Sequence, residues 1–306
     1  MTTIADCTIK ELEPPLTGEE TALEDRLRRH VAFMADTIGE RTTFFPRGLR
    51  QAREYVGKHF ETAGFTVLEQ SYEADAQRVS NVCVEVAGSS RPDEIVVVGA
   101  HYDSPLNSPG ADDNASGVAA LLELARHFAQ SSPVRTLRLV AFVNEEPPFF
   151  QTELMGSRVC AREAKAKGEH VVAMLALESL GCYYHVPGSQ RYPFPFGFFY
   201  PDIGDFIGFI ANFRSSFLLR KVLGAFRAST LFPSQGIISP EFITGIGWSD
   251  HWSFWKEGYP AIMITDTAPF RNPNYHRLSD TSDLLDYSRM ARVTTGLTQV
   301  IKALTA

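Results

Sequence analysis

Three nearly continuous apolar runs constrain this fold more than any other feature of the sequence. They are EIVVVGA (94–100), TLRLVAFV (136–143) and VVAMLAL (171–177). A strand that is apolar at successive positions is buried on both faces, which is typical of a parallel sheet covered by helices. The stretches between the runs, at 114–130 and 151–166, have the periodicity and length of helices. This alternation predicts an α/β fold with a mostly parallel, mixed central sheet and helices on both faces.

The rest of the chain extends this pattern, with one interruption. Segment 183–247 carries YPFPFGFFYP, which is dense in aromatic residues and prolines. We predict a single domain over 1–306, in which 183–247 is an inserted, lid-like segment and 1–18 is an irregular arm. The other predicted helices lie at 19–38, 47–63, 214–228 and 283–304, the other strands at 65–71 and 80–87, and further strand and helix pattern at 250–265.

Composition excludes several classes of protein. The chain has 306 residues and a net charge of -7, whereas a nucleic-acid binder should be basic. The beginning of the sequence lacks the basic and apolar pattern of a secretory signal, and its apolar runs are too short to cross a membrane. The four cysteines show no CxxC spacing, so we expect reduced thiols. We therefore expect a cytoplasmic protein with neither a nucleic-acid nor a membrane partner.

Acidic residues and histidines follow each of the three buried runs. His101 ends the first run, the pair Glu145 and Glu146 ends the second, and Glu178 ends the third. Ligands bind at the carboxyl ends of the strands in such sheets, so these side chains should meet at one edge. Carboxylates that converge without a cation raise one another's pKa, and a divalent metal removes the conflict. Zinc, which takes imidazole nitrogen and carboxylate oxygen, suits this set of donors.

At this point the sequence resembles the co-catalytic zinc exopeptidases, which include bacterial leucyl-type aminopeptidases, glutamate carboxypeptidase II and glutaminyl cyclase. Each short motif is weak alone, but six of them occur in the family's order. The resemblance implies the phosphorylase/hydrolase-type fold. The motifs are HYDS (101–104), GADDNASG (110–117), NEE (144–146), LES (177–179), SDHWSFW (249–255) and YHRLSDT (275–281).

The resemblance implies two zinc ions that share one bridging carboxylate, and it implies a role for each matching residue. His101 and Glu178 would bind one zinc ion, and Glu146 and His276 the other. Asp113 would bridge the two ions. Two further residues would act without binding metal: Glu145 as the general base and Asp103 as the carboxylate that orients His101.

The sequence departs from the family pattern in two places. The family often places a Gly-Ser pair soon after the paired glutamates, whereas PPFFQTELM separates Glu146 from Gly156 and Ser157 here. Glu178 stands where the family often has aspartate, and the extra methylene changes either the geometry or the metal preference. The wall of the site and one ligand position therefore differ from the pattern.

Several neighbouring residues have a structural interpretation. We expect Asp112 to cap the helix that begins near Asn114 rather than bind metal. His251 is interpreted as a non-ligand, in a short helix capped by Ser249 or Asp250. The tryptophans, which all lie in one stretch, suit a core and a substrate pocket equally. They are Trp248, Trp252 and Trp255.

These observations predict a zinc-dependent exopeptidase, an aminopeptidase that removes N-terminal residues from peptide or aminoacyl substrates. A metal-bound water would attack the peptide, with Glu145 as base and Tyr275 donating a hydrogen bond to the oxyanion. One alternative is a glutaminyl cyclase-like acyltransferase; another is a non-catalytic binding protein. A carboxypeptidase would need a cation for the substrate carboxylate, from Arg191, Arg214 or Arg220. The preferred residue, the number of metal ions and the oligomeric state stay open.

Overall fold

One mixed sheet organises the described chain. The structure, a computed structural model, describes residues 2–4 and 14–306. Nine strands of these residues form the sheet, in the order β1-β8-β7-β9-β6-β4-β5-β3-β2. The strands are β1 Thr2–Ile4, β2 Leu68–Ala74, β3 Gln77–Val86, β4 Arg91–His101, β5 Arg135–Phe142, β6 His170–Glu178, β7 Ile207–Ala211, β8 Ser234–Ile238 and β9 Ala261–Thr265.

The centre of the sheet is parallel and its flanks are antiparallel. Strand β4 pairs in parallel with β5 and with β6, and β6 pairs in parallel with β9. On one side β3 runs antiparallel to β5, and on the other β7 runs antiparallel to β9. The carboxyl ends of β4, β5, β6 and β9 therefore lie along one edge, which is where the sequence predicts the site.

Helices cover both faces of the sheet. One apolar core packs α1, α2, α3, α5 and α8 against the sheet. A second core on the opposite face includes residues of α4 and α6. The predicted α/β fold is thereby confirmed. The helices are α1 Gly18–Ala32, α2 Pro46–Thr62, α3 Gly117–Phe128, α4 Gly156–Ala166, α5 Ser216–Ser229, α6 His251–Lys256, α7 Ala268–Arg271 and α8 Tyr287–Thr305.

Two predicted elements differ from the structure. The helix expected over 151–166 begins only at Gly156, because the chain turns from 147 to 155 before it can start. A side chain at Gly156 would collide with the Val143 carbonyl, 2.3 Å from a Cβ there, so the helix starts tightly against the end of β5. The predicted arm at 1–18 contains strand β1 at Thr2–Ile4, whereas residues 5–13 lie outside the described part.

The segment 183–247 was predicted as a lid-like insertion, and its middle is instead part of the fold. Strands β7 and β8 pair with each other and extend the central sheet, and α5 packs into the larger core. These strands have five residues each, which is too short to stand out in the sequence beside the aromatic-rich stretch. The pocket at the edge of the sheet is lined by the flanking parts, near 190–200 and 244–248, and also by residues of β7 and β8.

A buried ionic cluster joins α1 to α3. Arg26 and Arg126 each donate through Nε to Glu123 Oε2, at 2.6 and 2.9 Å. His30 Nε2 lies 3.4 Å from the other oxygen of Glu123, and its Nδ1 contacts the Tyr55 hydroxyl of α2 at 2.8 Å. The carboxyl group of Glu123 therefore ties α3 to α1, and His30 extends the contact to α2.

The cysteines that the structure describes, Cys83, Cys160 and Cys182, are free thiols. Cys7 lies outside the described residues, so its predicted state stays a prediction. Across the described chain, every helix is too short or too polar to cross a membrane.

Candidate metal centre

The ends of three parallel strands place the predicted ligands side by side. His101 is the last residue of β4 and lies in register with Phe142, the last residue of β5. Glu145 and Glu146 follow three and four residues after Phe142, and Glu178 is the last residue of β6. The parallel register therefore brings together side chains that are far apart in the sequence.

The predicted ligands form two groups that share Asp113. In the first group, His101 Nε2 lies 3.3 Å from Asp113 Oδ1 and 3.3 Å from Glu178 Oε2. In the second, His276 Nε2 lies 3.0 Å from Asp113 Oδ2 and 3.6 Å from Glu146 Oε2. Each oxygen of Asp113 thus faces a different histidine, as a bridging carboxylate would.

Three of these separations, at 3.3 to 3.6 Å, are longer than an ordinary hydrogen bond, and the fourth, at 3.0 Å, suits either a hydrogen bond or a shared metal ion. Ligand atoms about 2.0–2.2 Å from a tetrahedral zinc ion are separated from one another by about 3.3 Å. Both ring nitrogens of His101 and the Oδ1 atom of Asp113 are buried without a hydrogen-bond partner among the described residues. Buried polar atoms without a partner are costly, so these atoms point to an ion that completes their coordination. The residues present therefore fit the implied metal.

Burial and neighbouring charges shift the pKa values of Asp113 and His101 in opposite directions. Burial opposes ionisation of Asp113, but the neighbouring His101 and His276 outweigh it, so its pKa lies well below the usual value. Burial favours neutral His101, but Glu178, Glu145 and the other carboxylates outweigh it and raise its pKa well above the usual value. The site is thus built to hold positive charge between carboxylates.

The paired glutamates leave β5 through an unusual backbone turn. Asn144 has a φ of 59°, a left-handed conformation that is uncommon outside glycine and clusters at functional sites. The Asp103 carboxylate then accepts the backbone N–H groups of Glu145 and Glu146, at 3.2 and 3.1 Å. One Asp103 oxygen also lies 3.5 Å from His101 Nδ1. Asp103 therefore contacts the predicted base, a predicted ligand and His101 at once.

The two glutamates have different surroundings. Burial raises the pKa of Glu145 well above the usual value, against the charge of His101, and Glu178 and Asp250 raise it further. Burial likewise raises the pKa of Glu146, and the negative charges of Asp113 and Glu145 raise it further. Glu146 belongs to the group around His276, whereas Glu145 belongs to a separate candidate group with His101 and Glu146.

Ser249, Asp250 and Asp280 complete the site, and their roles were not predicted. Ser249 does not cap helix α6 but donates its hydroxyl to Glu178 Oε2 at 2.7 Å. Asp250 makes no capping bond either; both of its oxygens are buried without a hydrogen-bond partner among the described residues. Asp280 accepts the backbone N–H groups of Asp112 and Asp113 and fixes the bridging segment. Their presence in the quoted SDHW and YHRLSDT motifs was the available signal.

Other residues considered in the sequence analysis lie outside the two ligand groups. Asp112 does not cap helix α3 as expected, because its carboxylate accepts the Gly181 N–H at 2.9 Å and the Asn272 amide at 2.8 Å. His251 contacts the Ile246 carbonyl through Nε2 at 2.8 Å and lies outside the candidate metal groups of the described chain. Trp255 is buried in the core, whereas Trp248 lines the pocket.

An apolar pocket opens beside the site. Glu178 and Tyr275 belong to its wall, so it adjoins the candidate metal centre directly. The ring of Tyr275 stacks on that of His276 with centroids 3.9 Å apart. Arg191, Arg214 and Arg220 are exposed and lie outside the pocket lining. The cation that a carboxypeptidase would need there does not come from these three residues.

Comparison with known proteins finds a peptidase family and several relatives. The model of Peptidase family M28 matches residues 81–301. A protein of Escherichia coli K12 described as uncharacterized protein YfbL is 38% identical over 285 residues, which cover 90% of this chain and 87% of that protein. A probable zinc metalloprotease of Pyrenophora tritici-repentis is 31% identical over 182 residues, which cover 52% of this chain and 41% of that longer protein.

Solved structures share the fold. The Legionella pneumophila LapA aminopeptidase superposes with a TM-score of 0.71 at 18% identity, covering 97% of this chain and 78% of that one. The Bacteroides thetaiotaomicron glutaminyl cyclase, bound to N-acetylhistamine, superposes with a TM-score of 0.68 at 19% identity, covering 91% and 97%. At these identities the likeness establishes the architecture alone.

Proposed function

The chain belongs to Peptidase family M28, and from this premise we propose that it is a zinc-dependent aminopeptidase with two metal ions. The observation that carries the proposal is the pair of ligand groups that share Asp113, with nitrogen–oxygen separations between 3.0 and 3.6 Å. One ion would be held by His101, Asp113 and Glu178. The other would be held by Asp113, Glu146 and His276.

When bound, zinc supplies a Lewis acid that lowers the pKa of water and polarises the scissile carbonyl. Glu145 takes the proton of the attacking water through its carboxylate and then gives it to the leaving amine. The Asp103 carboxylate, by accepting the N–H of Glu145, holds the base at the edge of the sheet. Tyr275, next to His276, donates its hydroxyl to the oxygen that becomes negative.

The acidic character of the site favours a substrate with a free amino terminus. Glu145, Glu146 and Asp250 are buried carboxylates close to His101, and an α-ammonium group would reduce their mutual repulsion. A substrate carboxylate would instead meet repulsion there. This electrostatic difference favours an aminopeptidase over a carboxypeptidase.

An activity screen tests the class of reaction. The protein is treated with a chelator, reloaded with zinc, and assayed on leucyl and other aminoacyl anilides, on their N-acetylated counterparts and on a peptide with N-terminal glutamine. We expect hydrolysis of the free-amine substrates only, lost with chelator and restored by zinc. Release of ammonia from the glutaminyl peptide without hydrolysis would establish the cyclase instead, and hydrolysis of blocked substrates would contradict the proposal.

A further inference from the structure

The floor of the apolar pocket is one row of residues across four strands. Glu178 of β6 pairs with Thr265 of β9, Thr265 pairs with Gly208 of β7, and Gly208 pairs with Gln235 of β8. All four residues line the pocket. Residues directly opposite each other in a sheet share a face, and neighbouring strands are about 4.8 Å apart. The row therefore leads from the metal centre to Gln235 over a distance of about 14 Å.

The middle of this row is open because Gly208 has no side chain. A Cβ atom at Gly208 would stand 3.3 Å from the Cγ2 atom of Thr267 and occupy the space above the floor. The adjacent row on the same face, formed by Met263, Ile210 and Ile237, is apolar. The aromatic walls of the pocket are Tyr192, Phe196, Tyr200, Phe206, Trp248 and Phe270. The space suits a flat, largely apolar group.

The far end of the row carries an amide with unused hydrogen-bonding capacity. Gln235 is only 8% exposed, and its side chain makes no hydrogen bond with the described residues. Gln190, which also lines the pocket, differs because its amide donates to Thr267 and to the Arg191 carbonyl and accepts from Arg271 Nε. Gln235 therefore presents to the pocket an amide whose donor and acceptor groups can bind a polar group of the ligand.

The charge of the pocket limits what that partner is. Glu178, a candidate metal ligand, is the only charged side chain among the lining residues that the structure describes. A lysine, arginine or glutamate side chain would be buried at the far end without an opposite charge, which is unfavourable. A neutral amide such as that of Gln235 both donates and accepts hydrogen bonds. The tip of the ligand should therefore be polar and uncharged.

We infer that the pocket selects an N-terminal tyrosine and that Gln235 recognises its phenolic hydroxyl. The inference rests on the proposed aminopeptidase function, which places the α-amino group and the scissile carbonyl at the metal centre. From there an aromatic ring lies over Thr265 and Gly208, between the aromatic walls, and its hydroxyl approaches the Gln235 amide. A leucine side chain is shorter and ends before Gln235, and phenylalanine leaves the amide without a partner.

Substrate competition with a matched variant tests this inference. In the zinc-loaded wild type, kcat/KM for tyrosyl anilide should exceed that for phenylalanyl anilide about tenfold, as expected for one hydrogen bond. The variant Gln235→Met keeps the length of the side chain and removes its hydrogen-bonding atoms, so the ratio should fall to about one. Equal rates for both substrates in the wild type, or an unchanged ratio in the variant, would overturn the inference.

Ile237→Val is the control on the same face of β8. It alters the shape of the pocket without removing a polar atom, so it should change both rates together and preserve the tyrosine-to-phenylalanine ratio. If Gln235→Met fails to fold, the wild-type comparison among tyrosyl, phenylalanyl and glutaminyl substrates decides. A preference for the glutaminyl substrate over the tyrosyl one would assign the amide to another ligand and refute tyrosine selection.

A binding measurement separates this inference from the proposed function. L-tyrosine amide and L-phenylalanine amide are titrated calorimetrically into zinc-loaded wild type and Gln235→Met. If no aminoacyl substrate is hydrolysed, the proposed function fails. Tighter binding of the tyrosine compound that depends on Gln235 would still support the assignment of the pocket, and equal binding of both compounds would reject it.

Discussion

At the scale of single residues, Glu145 and Glu146 show how neighbours in the chain come to differ. Along a regular strand their side chains would point to opposite faces. The left-handed turn at Asn144 and the shared acceptor Asp103 hold both backbone N–H groups at the end of β5. Glu146 then faces His276, while Glu145 lies towards His101. The pair is therefore suited to two tasks, metal binding and proton transfer.

Replacing the predicted base tests this division. Glu145→Gln keeps the shape of the side chain and removes its ability to accept a proton, so kcat should fall about 10²–10⁴-fold. Zinc content, measured by elemental analysis after gel filtration, should be unchanged. Glu146→Gln is the matched comparison, in which zinc affinity should fall as well. Loss of zinc in Glu145→Gln with retention in Glu146→Gln would reverse the assignment.

At the scale of elements, the loop between β4 and α3 is held by one buried arginine. Arg41 is fully buried and donates to the carbonyl groups of five residues: Met34, Gly39, Tyr102, Pro109 and Gly110. Its own backbone exchanges hydrogen bonds with Ser104. The loop delivers both Asp103 and Asp113, so the planar guanidinium fixes the distance between them.

Replacing Arg41 by a lysine should loosen the site. Arg41→Lys retains the charge but offers three donors from one point instead of a rigid fork, so several buried carbonyls lose their partner. We expect the free energy of unfolding to fall by about 2 kcal/mol or more. Zinc affinity, measured by competition with a coloured chelator, should also fall. Arg47→Lys on the exposed surface is the control and should change neither quantity.

The cluster around Glu123 gives a second element with a definite dependence on pH. Burial raises the pKa of this carboxyl, but hydrogen bonds from His30, Arg26 and Arg126 outweigh it and lower the pKa to about 2. A carboxyl whose pKa is lower in the folded protein contributes stability above its unfolded pKa of about 4.3. That contribution is lost as the pH falls from about 4.3 towards 2.

Urea unfolding measures this effect. The wild type should be more stable than Glu123→Gln at pH 7, and the difference in free energy of unfolding should shrink as the pH is lowered from 5 to 2.5. Glu24→Gln, at a half-buried position of helix α1 outside this cluster, should show little difference at any pH. If the difference in free energy of unfolding between wild type and Glu123→Gln stays constant over this range, the assignment is wrong.

At the scale of the whole molecule, the candidate metal centre concentrates negative charge in the interior. Asp113, Glu145, Glu146 and Glu178 are all buried around one buried histidine, His101, and the more exposed His276. The chain as a whole carries a net charge of -7. Such a cluster destabilises the compact state unless cations neutralise it, so folding and metal binding should be linked.

Metal removal should therefore lower the thermal stability of the entire chain. A ligand present at a hundred times its Kd stabilises the folded state by about 2.7 kcal/mol, which corresponds to an increase in Tm of about 4 °C for a chain of this length. Calorimetry of chelated and zinc-loaded protein measures the shift. Magnesium at the same concentration is the control and should give a smaller shift, and equal Tm values with and without zinc would contradict a zinc site.

Local sequence patterns predict one part of this structure, and the rest depends on contacts between residues that are far apart in the sequence. The apolar runs predicted β4, β5 and β6, and their ends predicted which side chains meet, because parallel strands share an edge. The hydrogen bond from Ser249 to Glu178 spans 71 residues, and Arg41 reaches the loop around Gly110 over a similar separation. Such partners depend on how the loops run, which no local pattern encodes.

The row from Glu178 to Gln235 has a consequence for the history of such a protein. Backbone hydrogen bonds join the four strands of the row, so a substitution at 235, at the far end, leaves the histidines and carboxylates at the edge in place. Substrate preference and catalytic chemistry thereby depend on different residues. The substrate preference of such a protein can therefore change in evolution while its metal centre stays the same.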